Sequence, residues 1–141
     1  MTITVDLSQL VTAETKASTA LEAAKAKALA TVTDQISAAR GVLMTDLIGQ
    51  EMIYLAKEQE AKDWQASESP DLADFPLMFA EVGITASTAD ELATVWLTMA
   101  NQWRQTAASL EAIRLKSKSD IKSAASAEAV QSVVDAIEWP A

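Results

Sequence analysis

Hydrophobic positions in the second half of the chain form a ladder: Leu92, Trp96, Met99, Trp103, Thr106, Leu110 and Ile113, with steps alternating between four and three residues. That spacing keeps one face of an α-helix against a partner. Thr88 and Glu91 stand at capping-box separation just ahead of it, with Asp90 in the same turn, so a helix is predicted to open there and run to about Ala124. Upstream, Leu21, Ala28, Val32, Ile36, Ala39 and Leu43 mark an apolar stripe in a stretch of helical composition over residues 12–64, with Thr12 as N-cap and Glu14 in the first turn. Gly41 and Gly49 each weaken that helix by about 1 kcal/mol relative to alanine, so a kink or break is expected near either. Unbroken, the element would be roughly 75 Å long at 1.5 Å per residue, too long for a compact domain of this size.

Between the two long elements, residues 67–74 (Ser-Glu-Ser-Pro-Asp-Leu-Ala-Asp) read as a linker. Asp74 is placed to cap a short helix over residues 75–82 that Gly83 terminates. Ser126 opens a last short helix with Val130, Val133, Val134 and Ile137 on its apolar face, and Trp139-Pro140 ends it. At the other end Ile3, Val5 and Leu7 alternate with Thr4 and Asp6, a period-two segment that reads either as a docking arm or as a frayed terminus. The pattern therefore predicts an all-α fold. Two long helices pack antiparallel, with short connecting and C-terminal helices and a short extended arm over residues 1–11. Residues 12–141 form a single helical domain, with its linker at about 66–74.

Composition narrows the function classes. The 141 residues carry a formal net charge of −9, half are hydrophobic and only 5% are aromatic, so the core depends on few large side chains. An acidic chain disfavours nucleic acid, whose phosphates need a concentrated basic surface. Charge is uneven, though. Arg104, Arg114, Lys116, Lys118 and Lys122 face only Glu111 and Asp120 in their stretch, a local balance of +3 that leaves −12 elsewhere. This strip reads either as a dock for an acidic partner or as cations near the C-terminal end of a long helix. The first residues lack a basic region followed by an apolar one, so no signal peptide is expected. The greasiest stretch, residues 42–56, is interrupted by Asp46, Gln50 and Glu51, and a membrane span is not expected either.

Candidate chemistry is sparse. With no histidine and no cysteine, only carboxylates could hold a metal, which restricts the choice to hard ions. Glu58, Glu60 and Asp63 cluster, but Glu58 and Glu60 diverge by about 200° around a helix, and no calcium-loop pattern is present. Nucleophilic catalysis lacks a histidine base and a Gly-x-Ser-x-Gly elbow; no phosphate-binding or dinucleotide loop occurs. No enzyme, cofactor or metal is expected. Trp96 and Trp103, seven apart with Met99 between them, read either as a recognition stripe or as core packed on Leu43, Leu47, Met52, Ile53 and Leu55. Trp64, Phe75 and Phe79 are placed to seal the turn between the long elements, and Trp139 to cover the last helix or a neighbouring subunit.

Three blocks carry a resemblance. One is Tyr54-Leu55-Ala56-Lys57-Glu58-Gln59-Glu60-Ala61, followed by an acidic, proline-containing loop. The second runs from Ala89-Asp90-Glu91-Leu92-Ala93 through Ala100-Asn101-Gln102-Trp103 to Glu111-Ala112-Ile113-Arg114-Leu115, with Lys118, Ile121 and Ala124 continuing it. The third is Ala127-Glu128-Ala129-Val130 with the ending Ile137-Glu138-Trp139-Pro140. Together with the opening, Val5-Asp6-Leu7-Ser8 and Leu10-Val11-Thr12-Ala13-Glu14, they resemble small helical proteins encoded among the tail genes of tailed bacteriophages, including tail-fibre-associated and fibre-assembly proteins. The resemblance covers residues 1–14 and 50–140. It implies no catalytic residues. It implies a non-enzymatic structural or adaptor subunit of the tail or collar, made in the bacterial cytoplasm and partnered by tail or fibre proteins. Homo-oligomerisation is expected, with a trimer favoured; the alternative is a fibre-assembly chaperone that leaves before the virion matures. Leu92, Trp96, Met99, Trp103, Leu110 and Ile113 are the expected packing or interface residues, and Ile3, Val5 and Leu7 the expected arm.

Overall fold

Thr12 opens the first helix by accepting the backbone N–H of Thr15 on its hydroxyl at 3.1 Å, which satisfies one of the donors a helix start leaves bare. In this computed structural model, which describes Met1, Ile3, Thr4, Leu7 and residues 12–140, five α-helices follow: α1 (Ala13–Val42), α2 (Gln50–Ala66), α3 (Pro76–Glu81), α4 (Ala89–Ser123) and α5 (Ala127–Asp135). The fold is all-α, with α1 and α4 as the two long helices. Residues 12–64 are two helices, since the chain leaves helical geometry over residues 43–49. Gly49 carries the break: its φ of 83° lies in the left-handed region that only glycine enters at little cost. Gly41 stays inside the last turn of α1.

The later boundaries follow local chemistry. Asp71 caps a single 3-10 turn, Leu72–Asp74, by accepting from Ala73 N–H at 3.0 Å. Thr88 accepts the Glu91 N–H at 3.2 Å, while the Glu91 carboxylate reaches back to Ser87 N–H at 3.2 Å. The capping box therefore forms with its return bond one residue earlier than the usual pattern. Ser126 caps α5 through Ala129 N–H at 3.1 Å.

The described residues fall into two compact units. One combines the chain up to Ser37 with Glu111–Trp139, and the other holds Ala38–Leu110. In the first, Ala28 and Val32 of α1, Ile121 of α4 and Val130 of α5 form the core, with Leu21, Val133, Val134 and Trp139 packed around it. Lys25 donates to the Lys122 carbonyl at 2.7 Å, placing a cation on the negative end of α4. Trp139 donates to the Gln35 side chain at 3.1 Å. Because α5 folds back along α4, Trp139 returns toward the level of Ile113. Lys25 beside Lys122 and Gln35 beside Trp139 thus set α1 antiparallel to this part of α4.

Two glycines separate backbone strain from packing. No heavy atom comes within 4 Å of a Cβ built at Gly41 or at Gly83, but Gly83 has φ of 87° and Gly41 is helical. Urea unfolding should therefore find Gly41→Ala more stable by about 0.5–1 kcal/mol and Gly83→Ala less stable by about 1–2 kcal/mol.

Candidate functional site

The unit of Ala38–Leu110 holds the first half of the ladder. Its core is Ala61 from α2, Met78 from α3, and Leu92, Ala93 and Trp96 from α4. Ala61 faces the α4 residues with a side chain small enough for close approach, and Met78 fills the remaining space. Trp64 meets Phe75 edge-on with ring centres 5.3 Å apart, the favoured arrangement for two quadrupoles, and donates to Asp90 at 2.7 Å. Trp64 and Phe75 thus seal the linker as their spacing implied, while Phe79 stays exposed.

Carboxylates do much of the joining. α3 starts at Pro76 after Phe75, which has no side chain able to cap. Glu60 of α2 fills that role from a distance: its two oxygens accept from Leu77 N–H at 3.1 Å and Met78 N–H at 2.9 Å. Asp74, the expected cap, lies inside the preceding 3-10 turn. Glu81, at the other end of α3, pairs with Lys57 of α2 and accepts from the Thr85 hydroxyl at 2.7 Å and the Trp96 indole at 3.3 Å. Lys57 also sits 5.2 Å from the centre of the Trp96 ring, within range of a cation–π attraction. Burial raises the Glu81 pKa, but hydrogen bonds from Lys57, Thr85 and Trp96, with the charge of Lys57, outweigh it and hold the carboxyl below its ordinary value. Glu58 pairs with Arg104 of α4 and with Lys62 at 2.5 Å.

These bonds set the register of α2 on α4. Trp64 meets Asp90 and Lys57 meets Trp96, so the helices run antiparallel and the first turns of α2 stand level with Met99 and Trp103. There the cover stops. Trp96 is 5% exposed, whereas Met99 is 59% and Trp103 49%. Leu92 and Leu110 are buried and Ile113 is half-buried, so the ladder is covered at both ends and open in the middle. The residues expected to pack on the tryptophans are themselves exposed: Leu43, Leu47, Met52, Ile53 and Leu55. Trp96 takes its cover from α3 instead, because α3 and its loop fold over the far end of the α2–α4 pair.

Of the expected arm, Ile3 and Leu7 are exposed, and Val5 lies outside the described residues, as does most of the arm over residues 1–11. Three of the five cations of the basic strip are paired with carboxylates. Arg104 pairs with Glu58, Arg114 holds Glu111 through bonds of 2.9 and 2.6 Å, and Lys116 pairs with Asp120 at 2.5 Å. Among the described residues no group of three or more acidic side chains could hold a metal ion, and no helix is long and apolar enough to cross a membrane. Sequence reasoning missed Ile48 as an exposed apolar residue and Glu60 and Glu81 as organisers. The run of apolar residues around Gly49 signalled the first, but nothing local signals a carboxylate that caps a helix elsewhere in the chain.

Compared with known proteins, the chain matches no family model, no curated protein and no solved structure.

The two ladder tryptophans should separate on truncation. Trp96→Ala should lose about 3–5 kcal/mol of unfolding free energy, and Trp103→Ala less than about 1 kcal/mol in the isolated chain. Glu81 sets a pH dependence. Its folded pKa lies below the ordinary 4.5, so its contribution is whole above that value and fades as pH falls through the folded one. Glu81→Gln should flatten the acid limb of stability against pH below 4.5, followed by circular dichroism.

Proposed function

We propose that this chain is a non-enzymatic structural or adaptor subunit of a bacteriophage tail or fibre apparatus, seated in the virion tail or collar and working by helix packing and oligomerisation. The observation that carries this reading is the uncovered middle of the ladder, Met99 and Trp103, beside the exposed apolar start of α2. Tryptophan and methionine are enriched in the cores of protein interfaces. Residues 92–110 hold a single charge, Arg104, which Glu58 takes up. Such a surface suits a protein partner and offers little to a polar small molecule. The tail assignment itself is supported by the resemblance of residues 54–61, 89–124 and 127–140 to small helical phage tail proteins. Its partners are tail or fibre proteins and other copies of itself.

Quantitative mass spectrometry of purified particles from the encoding phage tests the assignment. The chain should be present in fixed copy number, and Trp103→Glu should reduce its incorporation by about tenfold or more, the effect of about 1.4 kcal/mol or more at an interface hot spot. A chain absent from mature particles but bound to fibre proteins during assembly would replace the structural reading with that of an assembly chaperone.

A further inference from the structure

α3 is held over Trp96 mainly by its ends. Of its six residues only Met78 is buried, while Phe79 is 64% exposed and Leu77 half-buried. At its start Glu60 of α2 accepts from the Leu77 and Met78 N–H groups. At its end Glu81 pairs with Lys57 and accepts from the Thr85 hydroxyl and the Trp96 indole. Outside these two clasps the chain is anchored on both sides. Phe75 lies edge-on to Trp64, and the capping bonds of Ser87, Thr88 and Glu91 fix the start of α4. Between the anchors run residues 76–86, where Val82 and Ala86 add only half-buried contacts and Gly83 turns the chain at φ of 87°. A helix this short does not form in water without tertiary support. One fully buried side chain is little to set against the conformational entropy of ordering the whole segment. Few buried apolar contacts are the mark of a region that opens below the global unfolding free energy.

We propose that residues 76–86 are a lid, which opens as a local unit while α2 and α4 stay folded and paired. The pairing of α2 with α4 does not pass through the lid. Glu58 holds Arg104, Trp64 donates to Asp90, and Lys57 sits over the Trp96 ring. Both clasps can therefore be released with those three contacts intact. Opening withdraws Met78 from Leu92, Ala93 and Trp96, the α4 members of its core. Trp96, Met99 and Trp103 are spaced by three and four residues and share a helix face. The apolar strip that Met99 and Trp103 already expose is then lengthened back to Leu92. Because each clasp is a carboxylate, removing the charge of either one loosens the lid. The use of the lengthened strip rests on the reading that the chain works through its uncovered ladder; the opening itself rests only on how α3 is held.

Native-state hydrogen exchange on the full wild-type chain tests the lid. Protected amides of residues 76–86 should exchange at least about tenfold faster than those of α2 and α4 around Ala61 and Leu92, with little dependence on urea below the unfolding transition. Glu60→Ala and Glu81→Gln should each speed exchange over residues 76–86 by about fivefold and leave the relative protection of α2 and α4 unchanged. A second readout uses the absence of cysteine from the chain. The single thiol of Met78→Cys should react with a small alkylating reagent at least about tenfold faster than global unfolding of the same variant allows. Exchange over residues 76–86 that keeps pace with α2 and α4 at every urea concentration would overturn the lid. So would clasp variants that leave that exchange unchanged, or a thiol that reacts only on global unfolding. None of these outcomes bears on the tail reading, which the chain's presence in particles decides separately.

Discussion

Cover for the apolar face of α4 is the constraint on which the structure depends. At 35 residues the helix is about 52 Å long, and its face recurs in four-and-three steps along most of that length. The elements available to cover it are short or alanine-rich: α3 has six residues, α5 has nine, and α1 supplies Ala28, Val32 and Ile36 as its buried positions. Each unit therefore builds a small core around a few large side chains, Met78, Leu92 and Trp96 in one and Ile121 and Val130 in the other. Stability at about 25 cal/mol per Å² of buried apolar area is concentrated in those two places. Met99 and Trp103 are left between the buried positions of their own helix face.

Thin cores shift work onto polar groups. In the unit of Ala38–Leu110, Glu60 caps α3, Glu81 gathers Lys57, Thr85 and Trp96, Glu58 takes Arg104, and Asp90 takes the Trp64 indole. Four carboxylates thereby tie α2 to α3 or to α4. The Glu60 arrangement is the strongest of these by chemistry, since an ionised acceptor on two bare N–H groups at a helix start combines charge-assisted bonds with the favourable end of the dipole. The acidity of the chain is thus partly structural. Carboxylates spent on backbone donors and single cations diverge from one another, which accounts for the lack of any acidic group able to grip an ion among the described residues.

What the sequence made legible was local. Thr12, Thr88 and Ser126 cap the helices their spacing implied, and Gly83 ends α3, because a hydroxyl three residues from an N–H or a glycine at a left-handed turn is decided within a few residues. The four-and-three ladder lies within α4. It could not say how much of the helix is covered, since periodicity reports which side is apolar and cover depends on where α3 lands. The cap on α3 was assigned to Asp74, the nearest acidic residue, whereas Glu60 arrives from an adjacent helix through tertiary packing. The break over residues 43–49 was signalled by Gly49, but composition alone does not fix a left-handed φ.

Trp96 and Trp103 make the division between folding and recognition concrete. They are the same residue on the same helix face, two turns apart, and differ only in what stands opposite. Met78 and Ala61 cover the first, so its indole is spent on stability. The second keeps about half its surface, and burying a further ~100 Å² of it would yield about 2.5 kcal/mol that the isolated chain does not use. Leaving such surface open invites promiscuous sticking, and net charge is the counterweight. Twenty acidic residues against eleven basic ones repel random encounters between copies, while residues 92–110 hold only Arg104 of all the charged positions.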